Sequence, residues 1–136
     1  MESRTLIFLK LGGSLITDKT QPLTAHPGII QRIANEIREA LEENSGLQLL
    51  IGHGSGSFGH AAAKKYQTQD GGKDQKYWRG FSEVWRTARK LDQLVVEIFH
   101  KEGLPVIAFP PSAGVLARNK EFVSWDIRPI EFALAY

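Results

Sequence analysis

Two short segments of this chain carry residue types suited to holding anions. The first, Lys10-Leu11-Gly12-Gly13-Ser14, sets a lysine just ahead of a glycine pair. The second, Gly52-His53-Gly54-Ser55-Gly56-Ser57-Phe58-Gly59-His60, brings four glycines, two serines and two histidines into nine positions. Glycine has no Cβ, so backbone N–H groups at such turns approach an anion closely. Lys10 adds positive charge at the same place. A helix start following the second segment would offer unpaired N–H groups and a favourable dipole to a phosphate. His60, expected at or near that helix start, can donate a hydrogen bond to a phosphate oxygen. Lys19, in the pair Asp18-Lys19 just past the first turn, can fold back over phosphates and stabilise charge during transfer. Phosphate binding and phosphoryl transfer are the chemistry these residues suit.

The two segments do not weigh the same. Taken alone, the first fits a tight turn with an incidental lysine equally well, since short glycine motifs are weak signals. Lys19 fits a solvated loop lysine equally well. The second is stronger, because a flexible linker rarely follows a buried strand so abruptly. Nothing matches the Walker A pattern or the protein-kinase motif set. His53 and His60 match no common zinc spacing, and the chain has no cysteine, so no protein metal site is expected. Tyr77, Trp78 and Trp85 invite a base-stacking reading, but their helical spacing favours core packing. The charges along that stretch mix both signs and read as a solvated helix face.

The elements that must carry these turns follow from apolar periodicity. Residues 5–11 (TLIFLKL), 47–51 (LQLLI) and 104–109 (LPVIAF) are near-continuous apolar runs and predict buried parallel strands. Ile30, Ile33, Ile37 and Leu41 recur at three- and four-residue steps and predict a helix over 28–43. Residues 60–66 predict a shorter helix. The longest helical pattern covers 75–102, with Trp78, Phe81, Trp85, Ala88, Val95 and Ile98 on or near one face. Residues 17–27 and 67–74 are polar and read as loops, 112–121 as loop or short helix, and 127–136 as the start of a further helix. This alternation predicts an α/β fold with a parallel sheet and right-handed crossovers. In open α/β sheets ligands bind beyond the carboxyl ends of the strands. Both glycine turns are therefore expected on one edge of the sheet.

Composition adds exclusions. The 136 residues are 42% hydrophobic and 24% charged, the profile of a globular domain. A formal charge of +2 does not predict a nucleic-acid binder, which concentrates basic residues on one face. No apolar run approaches the roughly 20 residues of a membrane span. The opening Met-Glu-Ser-Arg carries no signal-peptide pattern. Absence of cysteine fits a reducing cytoplasm. Composition marks no domain boundary and no repeat.

KLGGSLITDK (Lys10 to Lys19) and GHGSGSFGH (Gly52 to His60) resemble the two N-terminal signatures of isopentenyl phosphate kinases, within the amino acid kinase superfamily. The K-x-G-G-S part is common to that superfamily. Ser57-Phe58-Gly59-His60 and PPSAG (Pro110 to Gly114) resemble the isopentenyl phosphate kinase branch and the related fosfomycin kinases. The resemblance extends in outline over the whole chain. It implies an αβα three-layer sandwich around an open, mostly parallel sheet. It implies transfer of the γ-phosphoryl group of ATP, accompanied by Mg²⁺, onto isopentenyl phosphate, giving isopentenyl diphosphate. Under it, Lys10, Gly12, Gly13 and Ser14 contact the ATP phosphates, as does Ser55, and Lys19 stabilises the transferring group. Gly54 and Gly59 hold the acceptor phosphate by backbone N–H, with His60 hydrogen-bonded to it. Phe58, Tyr66, Phe81 and Trp85 are candidate walls for the isoprenoid tail. A homodimer is also implied. Members of that family are longer, so residues 1–136 are expected to be the N-terminal acceptor half, without the nucleotide-binding half. Tyr136 falls inside a helical pattern with no stop signal. Such a segment is expected to be a poor kinase alone, with an uncovered sheet edge. Two other readings are a kinase of another small acceptor, such as fosfomycin, and a non-catalytic phosphate-binding module.

Overall fold

The structure, a computed structural model, describes residues 4–135. Met1 to Ser3 and Tyr136, on which two sequence expectations fall, lie outside the described residues. Two compact units divide the chain, the first running to Val106 and the second starting at Ile107.

The first unit opens with β1 (Thr5–Leu11), a one-turn helix α1 (Gly13–Ile16) and a long helix α2 (Pro27–Glu43). It continues with β2 (Leu47–His53), α3 (Gly56–Tyr66), a 3-10 turn (Thr68–Asp70) and the helix α4 (Gln75–Lys101). Proline at the first position of α2 suits a site whose N–H has no intrahelical acceptor. Asp74 caps α4 by accepting the Tyr77 N–H at 2.7 Å. Gly103, at φ +88°, stands just past the end of α4, where glycine alone is unstrained.

β1 and β2 pair in parallel, with Lys10 opposite Gly52 and Leu11 opposite His53. Alternation along the strands sends Leu9, Leu11, Leu49 and Ile51 to one face. There they meet Ile30, Ile33, Ala34 and Ile37 of α2 and Leu91, Val95 and Phe99 of α4 in one core. Phe8, on the opposite face, is 73% exposed. The α/β class and the parallel sheet expected from sequence are both present.

Two expectations need correction. Residues 104–109 form no ladder with β1 or β2. Pro105 has no N–H to give, and the Val106 N–H turns back to the Leu104 carbonyl at 3.0 Å. Trp78, Phe81 and Trp85 of α4 do not pack in the core: Trp78 is 57% and Trp85 48% exposed. The buried stripe of α4 is instead Gly80, Thr87, Leu91, Val95 and Phe99. Phe81 follows Gly80 by one residue, so it points about 100° away around the helix. Gly80 meets the Tyr66 side chain of α3 so closely that any Cβ there would overlap it. Contact through a glycine thus fixes the rotation of α4 and leaves its aromatic stripe outside.

In the second unit, β3 (Leu116–Arg118) and β4 (Glu121–Ser124) form an antiparallel hairpin absent from the sequence reading. Asn119 and Lys120 both have positive φ, 52° and 65°, the pattern of a two-residue primed turn. The last element is α5 (Arg128–Ala135).

Candidate phosphate-binding site

Because β1 and β2 run parallel, the turns that follow them leave the sheet on the same edge. They do more than lie near each other. A Cβ on Gly13 would stand 2.6 Å from the Gly56 nitrogen, and one on Gly54 would stand 2.9 Å from the Gly13 nitrogen. Both obstacles are backbone atoms, so neither could swing aside. Gly56 adopts φ +49° directly against the Thr17 side chain, a conformation that costs a residue with a Cβ.

Thr17 locks the two turns together. Its hydroxyl donates to the Gly13 carbonyl at 2.6 Å and accepts the Ser57 N–H at 3.0 Å. Thr17 and Ser57 are both buried. Ser57 Oγ in turn donates to the Thr24 carbonyl at 3.2 Å and accepts the Thr24 N–H at 3.3 Å. The loop carrying Lys19 is thereby pinned at its base, where Thr17 also bridges Ala25. At the tip, Asp18 accepts the backbone and side-chain donors of Thr20. Those bonds hold the Asp18 carboxyl below its usual range.

Packing the turns this way leaves amides unused. Among the described residues, the N–H groups of Gly13 and Ser14 in α1, and of Ser55 and Gly56 at the start of α3, meet no protein acceptor. Four unpaired donors on two abutting turns form a surface that can hold phosphate oxygens. Gly54 differs: its N–H donates to the Leu11 carbonyl at 3.0 Å. In this arrangement Gly54 contributes room for Gly13 and not a free donor. Gly59 sits beneath Ser55, where a Cβ would press on the Ser55 side chain.

The charged candidates lie on the elements joined by these turns. Lys10 is the next-to-last residue of β1, exposed and opposite Gly52. Lys19 is exposed in its turn and His60 is exposed on α3. No hydrogen bond or ion pair engages any of these three side chains among the described residues, so all three remain available to an anion. α3 starts at Gly56, four residues earlier than expected, and His60 is its fifth residue. The Cα–Cβ bonds of a helix tilt toward its N-terminus, which in α3 is the end that carries the glycine turn.

Sequence reasoning missed Thr17, and it set His53 aside after weighing it as half of a metal pair. His53 is half-buried between the Gly54 carbonyl and Asp92 of α4. No group of three His, Cys, Asp or Glu side chains among the described residues could hold a metal ion. No local signal marks these contacts, because the partners lie 39 and 40 residues apart. Of the candidate walls, Phe58 is buried in the core. Tyr66 lines a surface hollow of about 650 Å³ with Gln75, Lys76, Trp78 and Arg79. No helix among the described residues is long and apolar enough to cross a membrane.

Comparison with known proteins identifies the family. The sequence pattern of the amino acid kinase family matches residues 5–135. The isopentenyl phosphate kinase of Methanothermobacter thermautotrophicus is 36% identical over 128 residues, covering 90% of this chain and 46% of that protein. That of Methanocaldococcus jannaschii is 34% identical over 121 residues, covering 85% and 46%. A solved isopentenyl phosphate kinase superposes with a TM-score of 0.84 at 33% identity, over 96% of this chain and 54% of its own. A product complex of the Thermoplasma acidophilum enzyme gives 0.77 at 32% identity. The chain spans about half the length of the curated relatives it matches.

Proposed function

This chain belongs to the amino acid kinase family, and on that premise we propose that it is the acceptor-binding part of an enzyme that phosphorylates isopentenyl phosphate. The reaction moves the γ-phosphoryl group of ATP onto the monophosphate, giving isopentenyl diphosphate and ADP. The observation that carries this reading is the pair of abutting glycine turns with four unengaged amides.

The roles divide along the two turns. Gly12, Gly13 and Ser14, with Lys10 beside them, face the nucleotide phosphates, as does Ser55. His60 and the start of α3, including Gly59, face the acceptor phosphate. Gly54 shapes this surface by letting Gly13 approach. Lys19 closes over the group in transfer. Phosphoryl transfer asks for positioning and charge stabilisation more than for covalent catalysis, and fixed amides with mobile cations provide both. Mg²⁺ arriving with ATP would neutralise phosphate charge further, held by phosphate oxygens. Trp85, Phe81 and Tyr66, outside the core, are the candidate walls for the isoprenoid tail. The complete enzyme is expected to act in the cytoplasm as a homodimer.

The test is a titration of the ¹⁵N-labelled chain with isopentenyl phosphate, dimethylallyl phosphate and fosfomycin in turn. Isopentenyl phosphate is expected to move the Ser55, Gly56 and His60 amide signals at the lowest concentration. Preference for fosfomycin would transfer the assignment to a sibling kinase. No movement with any of the three at millimolar concentration would end the phosphate-acceptor reading. Mixing with ATP is expected to give little or no turnover, since this chain spans about half of its relatives' length.

A further inference from the structure

His53 ends β2 at the mouth of the second glycine turn, and the proposed chemistry leaves it unused. Its Nδ1 lies 3.1 Å from the carbonyl oxygen of Gly54, and its Nε2 lies 3.3 Å from a carboxylate oxygen of Asp92 on α4. The other Asp92 oxygen accepts from Arg89 at 2.9 Å. Both partners of the ring are acceptors, so the imidazolium form, with two N–H donors, satisfies both at once.

The bond to Gly54 has a directional consequence. In a trans peptide the carbonyl and the following N–H point in opposite directions. Fixing the Gly54 carbonyl on His53 therefore fixes the Ser55 N–H pointing away from it. The Gly54 N–H is already held by the Leu11 carbonyl, so the segment is restrained on both sides. The Ser55 N–H is one of the four unengaged amides. Resting on the phosphate reading of these turns, we propose that His53 is a positioning residue: Asp92 orients its ring, and the ring holds the Gly54 carbonyl so that the Ser55 N–H is presented to a phosphate. His53 and Asp92 touch no substrate in this account.

Two substitutions separate positioning from simple bracing. The amide nitrogen of asparagine lies near the position of Nδ1, and that of glutamine near Nε2. H53N keeps a donor for Gly54 and gives up Asp92. H53Q keeps Asp92 and gives up Gly54. The readouts are the ¹³C shift of the Gly54 carbonyl, which needs no ligand, and the affinity for inorganic pyrophosphate followed at the Ser55 N–H. H53N is expected to hold the Gly54 shift and to bind within about threefold of the parent. H53Q is expected to lose the shift and to bind roughly tenfold more weakly, the scale of one hydrogen bond to a charged group. The reverse pattern, with glutamine sufficing and asparagine failing, would make His53 a brace between β2 and α4 and overturn the proposal. An unchanged Gly54 shift in both variants would overturn it too. If the parent ignores pyrophosphate while the Gly54 shift follows the predicted pattern, the phosphate reading fails and the hold of His53 on Gly54 stands.

Discussion

Gly13 lies against Gly56 so closely that a Cβ on residue 13 would stand 2.6 Å from the Gly56 nitrogen. The contact joins two turns more than forty residues apart, and the unengaged amides depend on it. Adding one methyl group is therefore expected to disturb the site without touching any charge. G13A should lower stability by about 1–3 kcal/mol, the usual cost of forced overpacking. G12A is the matched control, since a Cβ at Gly12 meets nothing within 4 Å and its φ is −61°. Thermal melts of the two variants check this, and equal melting temperatures would refute the packing argument.

The Thr17 hydroxyl serves both turns at once, donating to Gly13 and accepting from Ser57. Valine has nearly the same shape without the hydroxyl. T17V leaves the buried Ser57 N–H unpaired, while the Gly13 carbonyl keeps the residue-17 backbone N–H at 3.0 Å, at an expected cost of about 1–3 kcal/mol. T17S retains the hydroxyl and should recover most of that loss. Denaturant unfolding of the pair measures the difference, and valine performing as well as serine would contradict the bonding assigned to Thr17.

Lys10 and His60 are exposed and bond to nothing described, so neither contributes much to folding. K10A and H60A should each change stability by no more than about 0.5 kcal/mol. Affinity should respond differently. Each variant is expected to bind a phosphate ligand roughly ten- to a hundredfold more weakly, the range for a hydrogen bond to a charged group. Calorimetry with pyrophosphate and isopentenyl phosphate tests both. H60A should affect the monophosphate more than K10A does, and equal losses would blur the division between the two turns.

Asp126 belongs to the second unit and gives a pH prediction of its own. The Arg128 side chain donates to both of its carboxylate oxygens, at 2.8 and 2.6 Å, and the Arg128 N–H donates at 3.1 Å. These bonds lower its pKa from the ordinary 3.8 to about 2. A lowered carboxylate value means that this contribution is present above about pH 3.8 and is lost as pH falls through about 2. The side-chain carboxyl ¹³C signal of Asp126 should titrate near 2, and R128M should raise the midpoint toward 3.8. An unchanged midpoint would show that the pairing does not persist in solution.

The glycine turns and the strands that carry them were largely legible before the structure. Lys10, the glycine pair, the second glycine run and His60 are contiguous motifs, and apolar periodicity placed both turns after strands. Helices α2 and α4 were legible because three- and four-residue spacing is a local property of the chain. The β3–β4 hairpin had a signal too, Asn119 between short β-prone runs, and it went unread because Lys120 is an uncommon residue at positive φ.

Tertiary structure alone decided the remainder. Glycines 13, 54 and 56 are needed where they stand because two backbones meet, and that meeting depends on the register of β1 against β2. Thr17 reaches Ser57, and His53 reaches Asp92, across about forty residues, a separation at which no periodic pattern survives. The aromatic stripe of α4 looked like core because spacing reports that a helix has a face and not which way that face turns. The rotation was set where Gly80 meets Tyr66, and the smallest side chain on α4 thereby kept its largest ones out of the core.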